Sequence, residues 1–164
     1  MTRLICAVGV FLLCTAFGAV RAEGLRVRLR ASEMLLSDLN FIASSLRYER
    51  RTAASIAEKL SKTGKLTEFW AKLAHTMDGG ASFGAAWELC AKELPLDPGV
   101  ASAALSFAKN FGSGDAESEL AQLELTVSGI GDAVKTKARE YPNKRKLTGT
   151  LSILFGVAAA LLII

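Results

Sequence analysis

Hydrophobic positions along this chain follow two regimes. At both ends they run without interruption: Leu4 to Val20 is a stretch of 17 uncharged residues, and Leu147 to Ile164 is a stretch of 18. At about 1.5 Å per residue, helices of these lengths are near the lower limit for crossing a hydrocarbon core of roughly 30 Å. Between them there is no sustained alternation of apolar and polar residues, and almost every apolar set fits the helical period, so the body is expected to be all-α. Leu35, Leu39, Ile42 and Leu46 form one stripe over residues 31–51. Thr52 or Ser55 can cap a short second helix that ends before Gly64, and a third carries Leu66, Phe69, Leu73 and Met77 and stops at Gly79-Gly80. Ser82 can cap a fourth, with Phe83, Trp87, Cys90 and Leu94 inward, and Pro95 and Pro98 enforce the next break. A fifth runs from about Gly99 to Phe111. In the sixth, Leu120, Leu123, Val127, Ile130 and Val134 step by 3, 4, 3 and 4, a narrow seam suited to lie along another helix. The first helix carries the matching stripe, so the two are paired as an antiparallel stalk. Pro142 predicts a kink or a short unwound joint near Tyr141.

Composition sharpens this reading. A length of 164 residues leaves room for one compact unit, and 51% hydrophobic residues with a mean hydropathy of +0.30 exclude both a disordered chain and a multi-domain enzyme. A cleaved secretory signal is the rival reading of the N-terminal run. The flanking charges favour an uncleaved anchor: Arg3 alone precedes the run, whereas residues 21–30 carry four arginines against one glutamate. Residues 135–146 hold six basic residues against one acidic, while residues 31–134 hold nine basic against fourteen acidic. Both inner flanks are therefore positive, and the positive-inside rule puts the middle of the chain in the cytoplasm with both termini across the membrane. The expected organisation is an N-terminal transmembrane anchor over residues 1–22, a cytoplasmic compact bundle of about six helices over 23–146, and a C-terminal transmembrane anchor over 147–164. The basic collars also favour anionic lipid headgroups. No basic face with interleaved aromatics exists in the body, so a nucleic-acid partner is not expected.

Candidate chemistry is sparse. His75 is the single histidine and has no acidic or thiol partner at i+3 or i+4, and Cys6, Cys14 and Cys90 are not spaced as metal ligands. No catalytic, cofactor-binding or metal-binding residue is expected, and reduced, buried thiols are. Phe111-Gly112-Ser113-Gly114-Asp115 has the look of a phosphate-cradling turn, but no Gly-Lys-Ser/Thr follows. Asp115, Glu117 and Glu119 would repel an anion while suiting the positive end of a helix dipole, which leaves a capped turn or a partner-docking corner. Trp70 and Trp87 occupy core-like positions, with an exposed interface anchor the alternative. Gly149, Ser152, Gly156 and Ala160 recur every three or four positions in the last run and could let helices approach closely.

Taken in order, these parts resemble the stage III sporulation protein AB family of endospore-forming bacteria. The resemblance rests on the N-terminal anchor, a long helix with a basic entry, the pair Ala86-Trp87, a helix ending in Phe111-Gly112, Asp115 opening the next, a basic juxtamembrane stretch and a Gly-containing last anchor. Glu119 stands where the family commonly has Gln, and Leu151-Ser152 where it has a Leu-Gly pair. The resemblance implies a helical domain similar to the cytoplasmic domains of type II secretion platform proteins. It further implies a non-enzymatic membrane adaptor of the sporulation channel between mother cell and forespore, in the mother-cell membrane, coupling a cytoplasmic secretion ATPase to other membrane subunits. A membrane assembly scaffold acting through its spans without ATPase contact is the alternative. Asp115, Glu117 and Glu119 are the residues expected to meet the ATPase, on grounds of charge steering.

Overall fold

The computed structural model describes residues 2–49, 52–112 and 116–163. Those residues form six α-helices and no strand: α1 (Thr2–Glu49), α2 (Ala53–Thr63), α3 (Thr67–Asp78), α4 (Phe83–Cys90), α5 (Pro98–Asn110) and α6 (Ala116–Ile163), with a 3-10 turn at Ala91–Glu93 after α4. The chain divides into two compact units, one of Arg28–Lys135 and one of Met1–Val27 with Thr136–Ile164.

The Arg28–Lys135 unit is built on the stripes read above. Leu35, Leu39 and Ile42 of α1 are wholly buried, as are Ile56 and Ala57 of α2, Trp70 and Leu73 of α3, Ala86 and Trp87 of α4, Ala104 and Ala108 of α5 and Leu123 of α6. An aromatic layer fills the middle, with the Phe69 ring edge-on to Trp70 and Trp87 at centroid distances of 5.1 and 5.0 Å and Phe83 against Phe111 at 4.8 Å. Edge-to-face packing sets the positive ring edge against the negative face of its neighbour and adds about 0.5–1.5 kcal/mol per pair beyond burial. Both tryptophans are core residues, as their helical positions predicted.

The local signals act where they were read. Thr52 Oγ1 accepts from the Ser55 N–H and Ser82 Oγ from the Ala85 N–H, each satisfying a donor left over in the first helical turn. Pro98 occupies the first turn of α5, where its missing N–H costs nothing, and Asp97 caps it by accepting from Gly99 N–H at 3.2 Å. Leu66 caps α3 rather than lying within it, and α4 ends at Cys90 so that Leu94 follows the 3-10 turn in extended conformation. Two glycines are required by close approach. At Gly84 a Cβ would lie 2.9 Å from Lys109 Cα, and at Gly64 it would lie 2.6 Å from the Leu60 carbonyl oxygen.

The long helices pair in antiparallel fashion within this unit. Arg47 of α1 bonds Glu124 of α6, and Leu36, eleven residues earlier on α1, lies 3.9 Å from where a Cβ would sit on Gly131, seven residues later on α6. The seam on α6 buries Leu123, Ile130 and Val134 and leaves Leu120 and Val127 partly buried against the core.

The expected joint at Pro142 is not there. α6 is helical without a break through Pro142, so the helix continues at the cost of one hydrogen bond to the Ala138 carbonyl. Pro142 is exposed, and the helical turns on either side supply the ladder that carries the chain across it. In the second unit the helical backbone of α1 covers residues 4–20 and that of α6 covers 147–163, the two uncharged runs.

Candidate interaction surfaces

The acidic corner opens α6. Glu117 is exposed in the first turn, where the unpaired backbone N–H groups favour a carboxylate. Glu119 has a different setting: half-buried, it accepts the Gly112 N–H through Oε1 at 2.7 Å. Gly112 has φ +88°, a left-handed conformation that side chains other than glycine's disfavour, so this carboxylate closes the turn after α5. Asp115 lies outside the described residues, together with Ser113 and Gly114.

Farther along α6 a groove of about 330 Å³ opens between α1 and α6, lined by Asn40, Ala43, Ser44, Val127 and Ser128 and bounded by the Arg47 and Glu124 pair. Tyr48 and Leu125, each the next residue along from that pair, are 79% and 76% exposed. In two antiparallel right-handed helices, the residues following a facing pair turn to the same side, so Tyr48 and Leu125 flank the ion pair together. Sequence reasoning passed over both, although the signal was available: Leu125 sits two positions from Leu123 and from Val127, off the seam, and an apolar residue off a seam faces outward.

A second groove, of about 480 Å³, runs beside α3 and is lined by Lys65, Leu66, Phe69, Lys72, Glu93 and Leu94 among others. Lys72 Nζ donates to both oxygens of Glu93 at 2.6 Å, which holds its ammonium above the ordinary lysine range. On α2, the Lys62 ammonium 2.8 Å from Glu58 holds that carboxyl below its ordinary range. Both pairs are exposed, so water screens them and neither marks a reactive site. His75 is exposed, and Cys90 is a buried free thiol whose Sγ lies 3.9 Å from Thr76 Oγ1. The side chains of Cys6 and Cys14 lie outside the described residues. Among the described residues no group of three or more His, Cys, Asp or Glu side chains could hold a metal ion.

The unit of Met1–Val27 with Thr136–Ile164 exposes apolar side chains in quantity. Val20 is 72% exposed, and Leu147, Leu151, Leu154 and Val157 are exposed along α6 at steps of four, three and three. Among the described residues no helix is long and apolar enough to cross a membrane. Most side chains of the two uncharged runs lie outside the described residues, including those of Ser152 and Ala160, as does the environment of Gly149 and Gly156, so the expected anchors and small-residue pattern fall largely there.

A family model described as stage III sporulation protein AB matches residues 3–164, nearly the whole chain. The chain belongs to that family. Neither a curated protein nor a solved structure matches it. The matched span takes in both uncharged runs, the six helices and the acidic corner, so in this member of the family they are parts of one sequence unit.

Proposed function

We propose that this chain is a membrane-anchored adaptor of the sporulation channel between mother cell and forespore, coupling a cytoplasmic secretion ATPase to membrane subunits of the channel. The observation that carries the reading is the family match over residues 3–164. Two physical features support it. The exposed apolar side chains described in the uncharged helical runs, Val20 in the first and Leu147, Leu151, Leu154 and Val157 in the second, are favourably placed in an apolar medium, and each run is flanked on its inner side by Arg or Lys clusters. In this reading α1 begins and α6 ends in the mother-cell membrane. The net-acidic bundle hangs in the cytoplasm, as the platform domains of type II secretion machines do, and hydrolyses nothing itself.

The ATPase is met at the acidic corner, by Asp115 and Glu117 with the neighbouring carboxylates of α6, because opposite charge steers encounter. Glu119 is bound to the Gly112 N–H, so reversing its charge would also open the turn. The test is a full-chain variant with Asp115→Lys, Glu117→Lys and Glu119→Gln, the last keeping an acceptor oxygen for Gly112. Loss of ATPase binding with an unchanged helical signal is the expected result; unaltered binding removes the site. Should the wild-type chain fail to bind the ATPase while its deletion still arrests sporulation after engulfment, the chain acts instead as an assembly scaffold through its spans.

A further inference from the structure

The flanks of the two uncharged runs point to a ligand of defined chemistry. Residues 21–27 and 136–146, all in one compact unit, hold Arg21, Arg26, Lys137, Arg139, Lys144, Arg145 and Lys146 against Glu23 and Glu140 alone. Arg21, Arg26, Arg139 and Lys146 are exposed. Arg26 approaches Glu23 only at 3.9 Å, with both side chains more than 60% exposed, a pairing too wet to neutralise it.

Position along the helices matters as much as charge. Val20 and Leu147 are exposed, Arg21 follows the one and Lys146 precedes the other, so each cation stands at the boundary of an uncharged apolar run. The headgroup layer on each face of a bilayer is about 5–8 Å deep, and long basic side chains lay their methylenes on apolar surface while the charge reaches that layer. Arg26 and Arg139 lie about 8 and 10 Å farther along their helices, within one Debye length of the same layer at physiological salt. Leu25 and Val27, next to Arg26 in the chain, are also exposed, so apolar side chains continue to that depth on α1.

We infer that this unit binds phosphate-bearing anionic lipid headgroups, phosphatidylglycerol or cardiolipin, through Arg21, Arg26, Arg139 and Lys146, in preference to zwitterionic lipid. The inference rests on the membrane reading above and adds to it a lipid selectivity that anchoring alone does not require. Each basic side chain at an anionic surface raises local partitioning on the order of fivefold, so four together give a preference that survives dilution of the anionic lipid to a minor component. Guanidinium groups add bidentate donation to phosphate oxygens.

The full-length chain, reconstituted in phosphatidylcholine bilayers and checked by flotation, is probed with trace spin-labelled phosphatidylglycerol or phosphatidylcholine, and the motionally restricted fraction gives the relative association. A severalfold preference for phosphatidylglycerol is expected, collapsing toward parity in R21Q/R26Q/R139Q/K146Q and in about 1 M salt, where the Debye length falls to roughly 3 Å. Equal association of the two lipids with the wild-type chain, or a preference that survives in the variant, overturns the inference. Competition by millimolar inorganic phosphate at constant ionic strength also overturns it, by assigning the cations to a free anion. Failure of the chain to float overturns the membrane reading itself, so the two failures are told apart at the first step.

Discussion

Asp38 is the residue on which the local structure of the bundle turns. The residue is 2% exposed, and its carboxyl group accepts from the Lys65 N–H at 2.7 Å, the Leu66 N–H at 3.0 Å and the Trp70 indole N–H at 2.7 Å. One side chain of α1 thereby fixes the turn between α2 and α3 and the orientation of the buried Trp70 ring. A buried donor left without a partner costs about 1–3 kcal/mol, so Asp38→Ala, which strips the acceptor from the buried Trp70 indole and from two part-buried backbone N–H groups, is expected to destabilise by about 2–3 kcal/mol. Trp70→Phe removes one donor and part of a ring and should cost less. Denaturant unfolding followed by far-ultraviolet circular dichroism ranks the two, and an Asp38→Ala midpoint equal to wild type would remove the clamp. Gly64 belongs to the same clamp, its added Cβ falling 3.2 Å from Asp38 Oδ2 as well as 2.6 Å from the Leu60 oxygen, so Gly64→Ala is expected to cost about 1–3 kcal/mol through overpacking. None of this was legible in the sequence. An aspartate between Ser37 and Leu39 on a stripe of leucines gives no sign of partners 27 to 32 residues away, and the period of the helix places it no better than any other polar residue near the seam. The buried state of Trp70, Trp87 and Cys90 was legible, because each falls in phase with apolar neighbours on a short amphipathic helix.

At the scale of the helix, spacing and caps sufficed where the energetics are local. Thr52 and Ser82 close their helices with side-chain acceptors and Pro98 sits where a proline is free of penalty, so these boundaries followed from residue type. Pro142 shows where that logic fails. Its ring removes a hydrogen bond and crowds the carbonyl four residues back, a cost of about 3 kcal/mol in a helix interior, which on its own argues for a break. A helix of 48 residues has intact ladder on both sides of the defect, and breaking it would expose further backbone groups, so continuity wins. Pro142→Ala should restore the missing bond. Amide exchange over residues 139–146 is expected to slow by tenfold or more in that variant, since each 1.4 kcal/mol of local opening energy is a factor of ten. An unchanged exchange pattern would mean that the proline costs the helix nothing. The contact of α4 with α5 gives a second check: Gly84→Ala would put a methyl group 2.9 Å from Lys109 Cα, and because that neighbour is backbone the two helices must separate. A loss of about 1–3 kcal/mol is expected, read as a lowered denaturation midpoint.

For the molecule as a whole, the asymmetry of charge carries more than any single helix. The acidic excess lies in residues 31–134 and the basic excess in the stretches that border the uncharged runs, so the chain is positive overall only because of its flanks. In the membrane reading proposed above, the positive-inside rule puts the flanks on the cytoplasmic side, the runs in the lipid and the bundle in the cytoplasm. The structure also decides where that can be probed without damage. The turn at Gly64 is packed against Leu60 and Asp38 and would not accept an insertion, whereas Gly79 and Gly80 are exposed between α3 and α4, and Gly80 with φ +91° has nothing within 4 Å of an added Cβ. A protease site inserted between Gly79 and Gly80 should be cut in inverted vesicles and protected in intact cells, while a tag following Ile164 should be reached from outside. Cleavage at Gly79-Gly80 in intact cells would put the acidic bundle on the outer face. It would then be unable to meet a cytoplasmic ATPase, and the adaptor reading would fall even though every contact within the bundle stood.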